Sequence, residues 1–459
     1  MYQIDFQNPV HIYFVGIGGI SMSGLAEILA NAGFRVSGSD WNASPITRSL
    51  EEKGIQVQYG ESSRHITDDI DCAVLTSAVH DSNLEFQAIR EKNIPYLSRA
   101  QLLGQIMQNY DMPVAISGTH GKTTTTSMVS QILLDAGTDP TLSVGGMLKA
   151  IDGNIRVGNS GIFVTEACEY TNSFLSFYPR VGLILNIEED HLDFFKDLKD
   201  IRSSFRRFAQ LLPADGALII NGEIPDYQEI TEGLPCRVIT FGHTSQCDYY
   251  PEDVHYNEFA CASFRVCYPD GTQSPVALSV PGDHNVLNAL ASLALSDLLG
   301  LDRTMAAKSL LTFAGTGRRF EYKGSIGGVT VIDDYAHHPT EITATLQAAK
   351  TYPHNNIWCV FQPHTYTRTK NFMKDFARAL TLADHVVLAD IYAARETDTL
   401  GISSENLQQE ILALGHECHY FPTFDEIEIF LLENCINGDL LITMGAGDVH
   451  KIGENLLGT

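Results

Sequence analysis

Residues 113–126 read PVAISGTHGKTTTT, and the order of features within them decides how much of the chain folds. The apolar run 113–116 has the length of a buried strand. It passes through the turn 118–122 into apolar residues at helical spacing over 123–136. Glycines at Gly118 and Gly121 let backbone N–H groups close around phosphate oxygens, Lys122 neutralises the charge of a β- or γ-phosphate, and the Thr123 hydroxyl can ligate a divalent cation. Ile116 occupies the place where the full G-x-x-x-x-G-K-[ST] pattern has its first glycine, so this is the shorter G-x-x-G-K-T form. A Gly-Lys turn can also merely cap a helix. The strand before, the helix after and four consecutive threonines favour a nucleotide phosphate site built from Gly118, Thr119, His120, Gly121, Lys122, Thr123 and Thr124.

The same passage recurs on either side. Upstream, residues 11–15 run into Gly16 and then into helical spacing over 22–32; downstream, alternation begins near Val329, with strand-like runs at 357–361, 385–389 and 440–443. Repeated strand–turn–helix units imply parallel sheets covered by helices. A length of 459 residues exceeds one hydrophobic core. The expected fold class is α/β in three domains: Rossmann-like at the N-terminus, a P-loop-type ATPase in the centre, and Rossmann-like again at the C-terminus. The polar stretch 105–112 and the turn 314–318 set boundaries at 1–110, 111–315 and 316–459. Residues 248–281 alternate without helical period, which predicts an antiparallel excursion of the middle domain.

Further candidate residues lie at predicted strand ends, where parallel α/β sheets place ligands. GIGGISMSG, residues 16–24, follows the first strand, with Gly16, Gly18, Gly19 and Ser21 in the loop and Asp40 about 20 residues on, where a carboxylate can bond a ribose hydroxyl. A tight packing turn explains these glycines equally well. Glu166 and His191 follow the apolar runs 161–165 and 181–187, and carboxylate with imidazole suits Mg²⁺ or Mn²⁺ bridging to phosphate. DDYAHHPTE (333–341) and FQPHTYTRT (361–369) combine acid, phenol, imidazole and guanidinium in the manner of an amino-acid carboxylate pocket, with Arg368 as the fork.

Thirty basic against 56 acidic residues give a formal charge of -26, which repels nucleic acid and anionic membranes. Nine cysteines without a C-x-x-C pair read as reduced, and neither a signal peptide nor a membrane span is visible, so the expected location is the cytoplasm. A nicotinamide dehydrogenase would explain residues 16–40 but leave the Lys122 loop without purpose. A regulatory ATP switch would leave the Asp333 and Arg368 clusters unexplained.

Seven motifs taken together resemble the Mur ligases over essentially the whole chain: GIGGISMSGLA (16–26), GTHGKTTT (118–125), NIEEDHLD (186–193), GDHNVLN (282–288), GRRF (317–320) and the two blocks at 333–341 and 361–369. The resemblance implies an enzyme whose first domain binds a UDP sugar, the second ATP and metal, and the third an amino acid. ATP would phosphorylate the lactyl carboxylate of UDP-N-acetylmuramate, and the amine of L-alanine would attack the acyl phosphate. By the same resemblance, Thr123 and Glu166 match one metal site and His191 a second. Asn285, Asn288, Arg319 and Asp333 match ATP contacts, while Tyr335, His337 and Arg368 match the amino-acid pocket. Lys122, His191, His337 and Arg368 would carry the chemistry, and the molecule would be a monomer or homodimer. Thr365 departs from the family pattern, since many members have arginine there. ISMSG after the glycine loop favours the alanine-adding kind over a related ligase that adds a preformed tripeptide.

Overall fold

Near-continuous apolar strands need cover on both faces, and the parallel arrangement provides it. HIYFV, IWCVF and LLITM, the strands His11–Val15, Ile357–Phe361 and Leu440–Met444, are buried along their whole length. In this computed structural model, which describes residues 2–76, 78–394, 396–398 and 400–459, the strands form four sheets among the described residues.

The first is fully parallel, in the order Gln56–Tyr59, Arg35–Asp40, His11–Val15, Cys72–Leu75, Tyr96–Ser98. The central sheet runs Arg237–Phe241, Ala217–Asn221, Val181–Ile184, Met112–Ser117, Ile162–Ala167, Thr141–Leu148, Gly153–Arg156, with only the last strand antiparallel. The strand feeding the phosphate loop therefore lies in the middle of its sheet. The third large sheet orders Glu321–Ile326, Val329–Asp334, Leu440–Met444, Ile357–Phe361, His385–Leu388 and Cys418–Tyr420, with an antiparallel first strand.

The alternating stretch after residue 248 folds as expected into three antiparallel strands, Tyr250–Tyr256, Cys261–Cys267 and Gln273–Pro281. Its inward residues Ala262, Phe264, Val266, Val276, Leu278 and Val280 join the central core. One boundary feature differs from the sequence reading. The polar stretch 105–112 was expected to be a linker, yet Gln105 lies inside the helix Arg99–Met107 and Met112 opens a strand. Gln105 is buried because its amide accepts from Ile4 N–H at 2.8 Å and donates to the Tyr2 carbonyl at 2.8 Å.

Helix Arg99–Met107 also merges two cores. Leu102, Leu103, Ile106 and Met107 pack in one cluster with Phe163, Phe174 and Phe177 of the central unit. A Cβ on Gly104 would stand 1.9 Å from the Ser176 carbonyl oxygen, so only glycine allows this approach. The third sheet keeps its own clusters, around Ile332, Phe361 and Phe376 on one face and Val331, Val360 and Ile427 on the other. Among the described residues, no helix is long and apolar enough to cross a membrane.

Candidate active site at the meeting of three units

The phosphate loop leaves Met112–Ser117 through Gly118 (φ +146°) and Gly121 (φ +81°), backbone that L side chains rarely adopt. Gly121 opens the helix Lys122–Asp135, directing free N–H groups at the space in front of it. A Cβ there would meet Asn288 Oδ1 at 2.7 Å. Lys122 is half-buried, with its Nζ donating to the Thr119 carbonyl at 3.0 Å and paired with Glu169 at 3.1 Å. Burial works against its charge, but Glu169 outweighs burial and holds the ammonium above its ordinary value. The Thr123 hydroxyl donates to Glu166 at 3.1 Å, while the other Glu166 oxygen accepts from Gly145 N–H. Burial pushes the Glu166 carboxyl up, and a cation beside it would reverse that preference.

In front of the loop lies a cavity of about 270 Å³, whose lining includes His120, Gly121, Thr124, Asn285, Asn288 and Arg319, all of them candidates from the sequence. Asn288 accepts from the Thr125 hydroxyl at 3.1 Å and donates to Asn285 at 3.0 Å, which fixes both amides at this wall. Asp333 is the exception. It is buried beneath, taking Arg318 Nε at 2.9 Å and the Thr443 hydroxyl at 2.8 Å, whereas Asp334 lines the cavity. Strand alternation turns neighbouring side chains to opposite faces, so a motif read as DD assigns the role to the wrong member easily. Burial raises Asp334 to about 6.

The loop carrying Glu188 to His191 crosses from this cavity to a smaller one of about 110 Å³ lined by Asp190, His191, Tyr335, His337, His364, Arg368 and Glu396. His191 is held at φ +53°, its Nε2 lying 3.8 Å from both Glu169 and Asp190 and its ring 4.5 Å from Tyr170. Burial keeps this imidazole below its usual value, hence neutral and able to donate a lone pair. Carboxylate, hydroxyl and neutral imidazole donors at Glu166, Thr123 and His191 fit Mg²⁺ or Mn²⁺. His120, Glu188 and His338 also bring ligand atoms within 4.8 Å of one another beside the cavity in front of the loop, a grouping the sequence did not suggest.

His337 is lowered to about 4 by burial; its Nδ1 lies 2.9 Å from the Tyr335 carbonyl oxygen. The Tyr335 ring sits 5.1 Å from the Arg319 guanidinium. Arg368 is less open than its motif suggests: Nε and Nη2 both bond Asp190 Oδ1, at 3.1 and 2.9 Å, and Nη1 lies 3.2 Å from His364 Nδ1. Thr365 is buried with φ +66° and ψ 144°.

On the first sheet, Gly16 has φ +81°, and a Cβ on Gly18 would meet Asp40 at 2.8 Å. Asp40 does not simply await a ribose: one oxygen accepts from Gly18 N–H at 2.8 Å and the other from Trp41 N–H at 2.9 Å, closing the loop on itself. Gly19 precedes the helix Ile20–Asn31 as its cap. Ser21 accepts from Arg99 Nη1 at 2.9 Å, a half-buried guanidinium that the sequence reading passed over. Glu169, Asp190, Asp334 and Glu341 were also missed. Asp190, Asp334 and Glu341 stand within motifs already quoted, but only the fold shows which of their residues reach the site, and Glu169 lies outside those motifs.

A glycine-lysine loop before a helix, side chains able to hold a divalent cation and a small polar pocket between the central and third α/β units suit an ATP-driven ligase, and the chain belongs to the Mur ligase family. Residues 11–111 match the model described as Mur ligase family, catalytic domain; residues 116–296 match the Mur ligase middle domain, and 318–447 the Mur ligase glutamate ligase domain. The chain is similar to the UDP-N-acetylmuramate–L-alanine ligases of Agathobacter rectalis (60% identity) and Lachnospira eligens (56%), covering all of both chains in each case. Among solved structures it resembles the UDP-N-acetylmuramate–alanine ligase of Thermotoga maritima, with a TM-score of 0.82, 31% identity and 98% of each chain covered. It also resembles a murein peptide ligase of Psychrobacter arcticus, at 0.73, 26% and 98% of each chain.

Proposed function

We propose that this protein joins L-alanine to the lactyl carboxylate of UDP-N-acetylmuramate with hydrolysis of ATP to ADP and phosphate, a step of peptidoglycan precursor synthesis in the cytoplasm. The observation that carries this reading is end-to-end similarity at 60% identity to a ligase of that name. Units bounded near residues 110 and 315 divide the work: UDP sugar at Gly16, Gly18, Gly19 and Ser21, ATP at the phosphate loop, and amino acid beside Arg368.

A carboxylate oxygen attacks the γ-phosphorus and ADP leaves. The alanine amine then attacks the acyl carbon, and phosphate departs with the former carboxylate oxygen. Lys122 and the N–H groups of the loop lie where charge accumulates on the transferred phosphoryl group. Mg²⁺ or Mn²⁺, held by Thr123 and Glu166 and by His191, would supply screening between polyphosphate and carboxylate. The neutral His337, its Nδ1 held at the Tyr335 carbonyl, offers Nε2 as an acceptor to orient the amine. The pocket of about 110 Å³ beside Arg368 suits a small amino acid.

Phosphate release from ATP tests this directly, using UDP-N-acetylmuramate with L-alanine, glycine, L-serine or the tripeptide L-alanyl-γ-D-glutamyl-meso-diaminopimelate. Release should be greatest with L-alanine. Preference for the tripeptide would overturn the reading.

A further inference from the structure

We infer that Asp190 is a positioning residue that ties the seating of the third unit to the cation ligand His191, so that amino-acid binding and divalent-cation binding strengthen each other. The inference rests on the functional reading above, specifically on Arg368 facing the amino acid and His191 the cation.

Asp190 is buried, and a single oxygen, Oδ1, accepts three N–H groups. Two come from Arg368, at 3.1 and 2.9 Å. The third is the backbone N–H of His191 at 2.7 Å. The second oxygen faces the His191 ring at 3.8 Å. One carboxylate thus holds the guanidinium of the third unit and the left-handed backbone of the adjacent cation ligand. The two residues before it are gripped from the same side: the Glu189 carbonyl lies 3.0 Å from His338 Nε2, and Glu188 accepts from the Thr340 hydroxyl at 2.7 Å. Three consecutive residues ahead of His191 are therefore anchored on the third unit, and the position of its ring depends on where that unit sits.

The geometry also explains how a paired arginine can still bind substrate. A guanidinium has two edges able to engage a carboxylate. Asp190 takes the Nε/Nη2 edge and neutralises a side chain that would otherwise be buried with uncompensated charge. The Nη1/Nη2 edge remains, with Nη1 braced by His364 at 3.2 Å. An amino-acid carboxylate arriving on that edge fixes Arg368, and through Asp190 fixes His191. By linkage, the cation must improve amino-acid affinity by the same factor.

The test uses the full chain as wild type, Asp190→Asn, Asp190→Glu and Arg368→Lys, with Mn²⁺ binding followed by the electron paramagnetic resonance of the free ion, with and without L-alanine. In the wild type, L-alanine should tighten Mn²⁺ binding. Asp190→Asn should weaken Mn²⁺ roughly 10–100-fold, the usual effect of losing an outer partner of a ligand, and abolish the alanine effect. It should also raise the KM for L-alanine more than it lowers kcat. Asp190→Glu keeps the charge and should recover part of the coupling; it also serves as the test variant if Asp190→Asn fails to fold. Wild-type Mn²⁺ affinity together with an intact alanine effect in a folded Asp190 variant overturns the inference. If Arg368→Lys leaves the alanine KM unchanged, the assignment of the amino-acid pocket fails instead; if it raises KM while the Asp190 variants behave as wild type, only the coupling fails.

Discussion

The two seams of this molecule are built from opposite materials. Between the first and central units, Leu102, Leu103, Ile106 and Met107 interdigitate with Phe163, Phe174 and Phe177 over a backbone contact that only Gly104 permits. Between the central and third units, apart from the Phe259 and Tyr352 rings 5.2 Å apart, contact runs mainly through Glu188 with Thr340, Glu189 with His338, Asp190 with Arg368, and His120 with Glu341 at 3.2 Å. Apolar surface is costly to re-expose, at roughly 25 cal/mol per Å², whereas polar groups released into water exchange one set of partners for another. We therefore expect the first seam to act as a fixed joint and the second to part more readily.

Lys122 is held within the central unit by Thr119 and Glu169, and its removal should produce the largest effect. Lys122→Ala is expected to lower turnover on the order of a thousandfold, about 4 kcal/mol in the barrier. Because Glu169 is left buried without its cation, some stability should go with it. Steady-state kinetics alongside thermal unfolding measure both. Turnover within a few fold of wild type would remove Lys122 from phosphoryl transfer.

Next in size, Gly104→Val should break the fixed joint, forcing side chain against the Ser176 carbonyl at a loss of about 3 kcal/mol. The thermal midpoint should drop by several degrees. Thr340→Val at the other seam should leave the midpoint within about 1 °C, as expected for a site that opens to water. Equal destabilisation by the two substitutions would contradict the division into fixed and parting seams.

A smaller, graded effect follows from His120. Burial opposes its charge, but Glu341 and Glu188 prevail and raise it from 6.5 to about 9. A raised value means that the folded form binds the proton more tightly, so the stabilisation is complete below about 6.5 and is lost as pH rises through about 9. Small-angle scattering of the ligand-free protein should show the radius of gyration increasing across that window, and His120→Gln should remove the step. Smallest of all should be the response to salt. Raising ionic strength from about 0.15 to 1 M shortens the screening length from roughly 8 to 3 Å, which weakens partly buried pairs only slightly. A salt-induced opening larger than the pH step would mean that long-range charge, rather than these contacts, holds the third unit.

The parallel architecture was legible because apolar runs such as 11–15, 357–361 and 440–444 leave little choice of environment. The antiparallel excursion was legible from alternation. The helix holding Gln105 was not, since its polarity signals a linker until Tyr2 and Ile4 are known to sit beside it. In the candidate site, residues with intrinsic chemistry in glycine- or histidine-bearing motifs stood out, while Glu169, Asp190 and Glu341 gain their meaning only from partners remote in sequence. Which member of the Asp333–Asp334 pair faces the cavity depends on strand register, and a motif does not carry that information.

Thr365 has a wider consequence. Its backbone, at φ +66° and ψ 144°, lies in a region that strains any residue with a Cβ, a β-branched one included. A β-branched residue bears that penalty at least as heavily as an unbranched one, so the bend is imposed by the surrounding scaffold rather than by the residue it carries. A long unbranched side chain at 365 would keep the same mount, and because this position lines the small pocket beside Arg368, a protein engineer retuning what that pocket accepts could begin here.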